Sequence, residues 1–290
     1  MEAKRHKYYG FQKSRGPSQG AAKKFALIIP FVIITLLLVI LPLVLIFIKS
    51  FQPVAGATVA DNWNFVDMYI WNKILMSLMI AVVTTIICVF LAYPFCYFLA
   101  QTKNQIYKSV LIFIATAPIW TSFLVKLVGL KTFFDACNQF QNSTFGDIWT
   151  IIGLVYLYVP FMLAPLYTTM INMPPNLINA SYDMGRNGIQ TFFAVVIPYT
   201  WNALISGIAL VFLPSLVTVA VPAFLNNSPN GGMIGDVIVE EGTLATTSEI
   251  ALARASTLSL ILIGVLVGCY LLFCTISGGY KHYKKKGENS

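Results

Sequence analysis

Residues 74–100 read ILMSLMIAVVTTIICVFLAYPFCYFLA, 27 residues that include no Asp, Glu, Lys, Arg or His. About 20 apolar residues in an α-helix suffice to cross the roughly 30 Å of hydrocarbon in a bilayer. Five further stretches share this character, and only Lys126 among their residues is charged. These stretches are Phe25–Ile48, Val110–Gly129, Ile151–Ile171, Trp201–Val221 and Leu258–Ser277. The sequence therefore predicts an all-α integral membrane protein with six transmembrane helices, not a β-barrel, whose short strands alternate polar and apolar residues.

The overall composition agrees with this prediction. The 290 residues are 57% hydrophobic and 10% charged, whereas soluble domains average about 45–50% apolar and about 25% charged residues. So few charges cannot cover a solvated surface. The composition excludes an ordinary soluble enzyme, a disordered protein and a disulfide scaffold.

The positions of the charged residues predict the orientation in the membrane. Of the 19 Lys and Arg residues, 14 fall in the two tails and in the second–third and fourth–fifth connections, whereas four fall on the other side. Eight of the 11 acidic residues lie on that other side. Because Lys and Arg are retained in the cytoplasm, both termini are expected there, in a multi-pass protein of the cytoplasmic (inner) membrane. The basic residues form tails at 1–24 and 279–290 around a membrane domain at 25–278, and they indicate contact with lipid, not nucleic acid.

The residues that most enzymes and cofactor sites require are missing from the predicted spans. The histidines, His6 and His282, lie in the tails, and the five cysteines form no CxxC pair. We therefore expect no catalytic residues, no metal site and no cofactor. A phosphate-binding GxxxxGK[ST] loop is also absent. A six-span protein without such groups most often moves a solute with energy from a partner.

The cytoplasmic connection at 173–198 is the most informative loop. Pro174 and Pro175 end the fourth span and favour a new helix start. A short helix then places four small or apolar residues along one stripe, and Gly185 is expected to end it. The stripe consists of Leu177, Ala180, Ser181 and Met184. From periodicity alone, this helix either rests on lipid or docks against another protein.

The same loop carries a family signature. Ala180, Gly185 and Pro198, with Val195 and Ile197, resemble the Glu-Ala-Ala-x3-Gly-x9-Ile-x-Leu-Pro signature of permease subunits of ATP-binding-cassette importers. Two positions depart from it, because Asn179 replaces Glu and Ser181 replaces the second Ala. In the family, this Glu pairs with a basic residue of the ATPase, so the resemblance implies the loss of a charge-assisted hydrogen bond here. Asn179 can still form a neutral one, so the departure weakens coupling and does not exclude it. The resemblance implies a short cytoplasmic coupling helix between spans 4 and 5 that contacts an ATPase. The residues implied in this contact are Asn179, Ala180, Ser181, Asp183, Gly185, Ile197 and Pro198.

Further segments narrow the resemblance. Residues 91–100 (LAYPFCYFLA), 118–126 (PIWTSFLVK) and 156–167 (YLYVPFMLAPLY), with 212–215 and 233–238, are similar to segments of the spermidine/putrescine (PotB-type) permease family. This resemblance implies a type I importer fold over residues 25–278. It also implies a second homologous permease subunit, two ATPase subunits that bind the ATP, and an extracytoplasmic substrate-binding protein. On their residue types, we expect Trp120, Thr121, Ser122 and Asp236 to lie on the substrate path, although the charge bias across the membrane alone also accounts for Asp236.

Several alternatives stay open at this stage. At Leu127–Leu130 the chain departs from a polar, aromatic run of the family, so another small solute, such as an organophosphonate, thiamine or a metal complex, competes with a polyamine. An ATPase-independent channel or carrier, and a non-transporting scaffold, are the other classes. Neither needs the spacing of Ala180, Gly185 and Pro198. Trp120 suits cation–π contact with an amine but also ordinary packing, and Lys126 is expected to extend towards water.

Overall fold

The computed structural model describes residues 29–54, 58–136, 146–226 and 232–287, with side chains up to residue 276. All regular structure in these residues is helical, as the sequence predicts. The two tails fall mostly outside them. The helices are α1 Ile29–Phe51, α2 Val59–Asn64, α3 Met68–Gln101, α4 Gln105–Thr116, α5 Phe123–Ala136, α6 Gly146–Ile171, α7 Pro175–Asp183, α8 Gly188–Val217, α9 Ala220–Leu225, α10 Ile234–Leu244 and α11 Glu249–Gly287.

Three long helices, α3, α6 and α8, pack against one another and form the centre of the bundle. Their shared core includes Cys88, Ala92, Met162, Leu166 and Val211, all fully buried. Helix α11 packs on α1 and α10 at the periphery. The most apolar window of α1 has no buried residue, so most of its side chains are not covered by the rest of the chain.

The third predicted span differs from the prediction. Val110–Gly129 is not one continuous helix, because α4 and α5 meet at an angle of 98°. Helix α4 tightens into a 3₁₀ turn at Ala117–Trp120, and Thr121 then adopts an extended backbone with ψ 151°. Pro118 lies in this turn and lacks a backbone N–H, which favours a break. Within the part of the chain that the structure describes, five helices are therefore long and apolar enough to cross a membrane, or six if the bent pair counts as one span.

Four other spans begin before their predicted boundaries, including α6 at Gly146, not Ile151, and α11 at Glu249, not Leu258. Helix α3 begins at Met68, not Ile74, so Lys73 belongs to the helix and is buried. Helix α8 begins at Gly188, well before the predicted start at Trp201. A π-helical turn at Phe192–Val196 precedes Pro198 and carries the helix past that proline. Such turns tolerate the hydrogen bond that a proline cannot donate.

Candidate coupling surface and substrate path

Helix α7 is the short helix that the sequence predicts after the fourth span. Helix α6 ends at Ile171, and α7 begins with Pro174 at the N-cap and Pro175 at the first helical position. Gly185 follows the helix with φ 77°, a left-handed conformation that glycine adopts without strain. Its backbone N–H donates to the Tyr182 carbonyl at 2.8 Å. The predicted helix and its glycine terminator are both confirmed.

Helix α7 presents most of its predicted contact residues to solvent. Asn179, Ala180 and Asp183 are exposed, as are Leu177 and Met184 from the predicted stripe. Ser181 differs, because it is fully buried. The inner face of the helix passes through Ser181, so the stripe does not lie on a single exposed surface. Five of the exposed residues form what we call the α7 outer face: Leu177, Asn179, Ala180, Asp183 and Met184.

Ser181 joins α7 to the start of α8. Its Oγ lies 2.9 Å from Oγ1 of Thr191, and both hydroxyls belong to fully buried residues. The start of α8 has its own capping box between Asn187 and Gln190. Helix α7 is therefore attached to α8 by a buried polar contact as well as by the chain.

An aromatic cluster continues this connection into the bundle. The Phe192 ring packs edge-on against Tyr93 and Tyr97 of α3, with centroid separations of 5.4 Å and 5.0 Å. The Tyr93 hydroxyl lies 2.6 Å from Oγ1 of Thr200 on α8. Ile197 and Pro198 are half-buried beside this cluster. Of the predicted coupling residues, Ser181 makes a buried contact and Ile197 packs against the core, whereas Asn179, Ala180 and Asp183 are exposed.

Trp120, Thr121 and Ser122 lie at the break between α4 and α5. All three are exposed, and the Trp120 side chain is 82% exposed. Lys126 does not extend freely towards water, because its Nζ donates to the Pro118 carbonyl at 2.8 Å. The same carbonyl also accepts from the backbone N–H and the Oγ1 of Thr121, at 3.3 Å and 3.0 Å. Lys126 therefore adds a charged donor to an acceptor at the break that already has neutral donors. The exposed polar backbone and side chains at the break suit a path for a polar solute.

Asp236 lies in the first turn of α10, after the end of α8. Its Oδ2 accepts the backbone N–H of Met233 at 2.8 Å. Burial raises the pKa of the Asp236 carboxyl, while the bond from Met233 and the charge of Lys73 lower it less strongly. Next to it, the backbone N–H of Ile234 donates to Oγ of Ser77 at 2.8 Å. Asp236 thus caps α10 and helps to dock it on α3.

Helix α7 and Asp236 lie at opposite ends of α8. Helix α7 precedes α8 in the chain, and Asp236 follows α8. The 30 residues of α8 span about 45 Å at 1.5 Å per residue. An outer cavity of about 190 Å³ lies beside α10 at the Asp236 end. Three acidic and two aromatic side chains line it with two aliphatic ones: Asp67, Glu240, Glu241, Phe65, Tyr69, Ile70 and Val237. The residue types at this end suit cations.

Sequence reasoning misses three features of the site. Two of them are contacts made by α3. The Lys73 Nζ lies 3.4 Å from the Gly232 carbonyl, and the Oγ of Ser77, four residues further along, accepts from the N–H of Ile234 at the start of α10. The aromatic cluster around Phe192 joins helices that are distant in sequence. Only the spacing of Lys73 and Ser77 on one helix face offers a signal in the sequence. Within the described residues, no group of three His, Cys, Asp or Glu side chains is placed to hold a metal ion.

Comparison with known proteins defines the class. Residues 92–277 match the family model described as the inner membrane component of binding-protein-dependent transport systems. This match covers well over half of the chain and includes α7 and the aromatic cluster. The chain belongs to this family of membrane permease subunits.

The names of individual relatives are more specific than the description of the family. The chain is 38% identical to the spermidine/putrescine transport system permease protein PotB homolog of Mycoplasma genitalium, over 88% of this chain and 92% of the relative. It is 40% identical to the corresponding Mycoplasma pneumoniae homolog, over 81% and 85%. It is 33% identical to PotB of Escherichia coli, over 61% and 69%. A solved bacterial ABC transporter involved in import of the polysaccharide alginate shares the fold, with a TM-score of 0.65, 11% identity, and coverage of 89% of this chain and 96% of that one.

Proposed function

We propose that the chain forms half of the translocation pathway of an ATP-driven importer for spermidine and putrescine. The observation that carries this proposal is the 38% identity to a relative named as a spermidine/putrescine permease, over 92% of that relative. In this arrangement a second, homologous permease subunit completes the pathway. Two ATPase subunits bind and hydrolyse ATP, so the chain itself is not an enzyme, and an extracytoplasmic binding protein delivers the solute.

The α7 outer face is the proposed contact with the ATPase. Asn179, Ala180 and Asp183 are exposed there, beside the apolar Leu177 and Met184. An exposed mixture of apolar and polar side chains on a short helix suits insertion into a groove of a partner. Ser181, Ile197 and Pro198 position this face, and the aromatic cluster carries its movement to α3 and α8. Placing both termini and α7 in the cytoplasm follows the distribution of Lys and Arg.

The opposite end of the bundle fits a cationic solute. The acidic outer cavity contains Asp67, Glu240 and Glu241, which attract polyamines or a basic rim of the binding protein. Trp120, Thr121 and Ser122 lie at the exposed break of the third span and line the proposed path. The departure from the family at Leu127–Leu130 begins with Leu127, which is fully buried among apolar side chains. At that position the departure affects packing and not the path.

Uptake of labelled solutes tests this function. Cells that lack this chain are compared with cells that carry it, using spermidine and putrescine, with thiamine and an organophosphonate as control solutes. We expect polyamine uptake to depend on the chain and to be unaffected by the control solutes in excess. Polyamine uptake that is unchanged without the chain, in cells with no second polyamine system, contradicts the proposal. Loss of thiamine or organophosphonate uptake instead assigns the same permease to another solute.

A further inference from the structure

A cavity of about 580 Å³ lies between the α7 segment and the adjoining ends of α3, α4 and α6. One part of its lining is apolar and includes Met170 of α6, Met173 just after α6 and Val196 of α8. The other part is polar and includes Gln101, Thr102 and Tyr182. Ligand pockets of this size commonly combine an apolar surface with a few polar groups.

The polar part of the cavity is positively charged. Lys103, in the connection between α3 and α4, is exposed, and Lys108 lies in the first turn of α4. The Lys108 Nζ donates to the Ala100 carbonyl at 2.8 Å, which holds the ammonium at the end of α3 and leaves two donors for a ligand. No Asp or Glu is among the residues that line the cavity. Its charge therefore favours an anion.

We propose that this cavity binds an anionic phospholipid, with the phosphate between Lys103 and Lys108 and an acyl chain against the apolar lining. The cavity lies where α3 and α6 end, which is the depth of the lipid headgroups for helices that span the bilayer. A free phosphate would leave the apolar part unfilled, whereas a lipid covers both parts. The tails of this chain are poor occupants, because residues 1–24 hold seven Lys and Arg and residues 279–290 hold four. Only the assignment to the cytoplasmic leaflet rests on the proposed function.

Lipid titration of the purified full-length chain tests the proposal. Phosphatidylglycerol is titrated in detergent, and native mass spectrometry measures the bound fraction for the natural chain and for Lys103→Gln, Lys108→Gln and the double variant. Glutamine at 108 keeps a donor for the Ala100 carbonyl. Each lysine near an anionic lipid contributes about fivefold to affinity, so the double variant is expected to bind about thirtyfold more weakly.

The controls separate the lipid from other ligands and from general charge effects. Lys49→Gln removes one exposed lysine at the end of α1 and is expected to leave binding unchanged, in contrast to Lys103→Gln. Phosphatidylcholine is expected to bind much more weakly than phosphatidylglycerol, and excess inorganic phosphate is expected not to displace the lipid.

Three results overturn the proposal: equal affinity in the variants and the natural chain, the same loss in Lys49→Gln, or full displacement by inorganic phosphate. If the double variant does not fold, Lys103→Gln alone decides the outcome. Because this measurement involves no transport, a failure here leaves the uptake experiment unaffected, and the reverse also holds.

Discussion

Gly185 is the position where one substitution most directly tests the coupling loop. Its φ of 77° lies in the left-handed region, and a Cβ added there meets no other heavy atom within 4 Å. The cost of Gly185→Val is therefore conformational and not steric crowding. An L-residue in this region costs about 1–2 kcal/mol, and a β-branched residue costs more.

This cost acts on the end of α7. The N–H groups of Gly185 and Arg186 donate to the carbonyls of Tyr182 and Ser181, at 2.8 Å and 3.2 Å. A valine that returns to an ordinary φ breaks this terminus and redirects the α7 outer face. Since about 1.4 kcal/mol corresponds to a factor of ten, the native terminus becomes at least about tenfold less populated relative to alternatives.

The assay is ATP-driven solute uptake into proteoliposomes that contain the assembled transporter, together with co-purification of the ATPase. Gly185→Val is expected to lower both about tenfold while the chain remains in the membrane. Gly185→Asn is expected to retain most activity, because asparagine tolerates the left-handed region. Gly188→Val is the matched control, since Gly188 lies in the same loop without a positive φ, and an added Cβ there makes only an ordinary contact at 3.9 Å. Normal uptake and normal ATPase recovery in Gly185→Val would refute the reasoning, as would an equal loss in Gly188→Val.

Three further predictions concern the rest of the bundle. Ser77→Ala leaves the buried N–H of Ile234 without its acceptor and is expected to lower the free energy of unfolding by about 1–3 kcal/mol. The control Ser206→Ala removes only an exposed hydrogen bond to the Asn202 carbonyl. Equal thermal unfolding of the two variants contradicts the docking of α10 through Ser77. Lys126→Met removes the donor to the Pro118 carbonyl and is expected to lower the free energy of unfolding by about 1.5–3 kcal/mol. Lys126→Arg keeps a donor and serves as the control. Equal unfolding midpoints for the Met and Arg variants contradict a stabilising role for this hydrogen bond. Burial raises the pKa of the Asp236 carboxyl above 3.8, so the folded chain binds the proton more tightly than the unfolded chain does. The stability of the natural chain relative to Asp236→Asn is therefore expected to fall as the pH rises from about 3.8 through the raised pKa. A stability difference that stays constant across this pH range contradicts the burial of the carboxyl.

Local signals in the sequence explain which parts of the site could be predicted. Pro174, Pro175 and Gly185 define the two ends of α7 through backbone properties that need no neighbour, and both ends are confirmed. The i, i+3, i+4, i+7 pattern also places Leu177, Ala180 and Met184 close together on the helix. It does not reveal which edge of the stripe packs inward. That side is decided by Thr191, ten residues away, which meets Ser181 only after the chain turns back into α8.

The sequence does not predict the break in the third span or the docking of α10, because both depend on contacts that hydropathy does not reveal. Val110–Gly129 is apolar enough to cross a bilayer as one helix, so hydropathy alone favours a straight span. A proline by itself does not break every helix of this chain, because Pro94 lies within the continuous α3. At the break, the Pro118 carbonyl also accepts a hydrogen bond from Lys126, a contact that hydropathy does not reveal. The sequence likewise places Lys73 in a loop, whereas in the structure it is a buried residue of α3 that lies near Gly232 and Asp236.

Sequence patterns were sufficient to predict the class of protein, the approximate positions of the spans and the location of α7. Hydropathy, charge distribution and backbone preference are properties of neighbouring residues, so they can be recognised along the chain. The packed structure was needed to show which side chains of α7 are exposed, where the third span bends and which lysines line the cavity beside α7. These features depend on contacts between residues far apart in sequence, such as Ser181 with Thr191 and Tyr93 with Thr200, and such contacts exist only once the helices have packed.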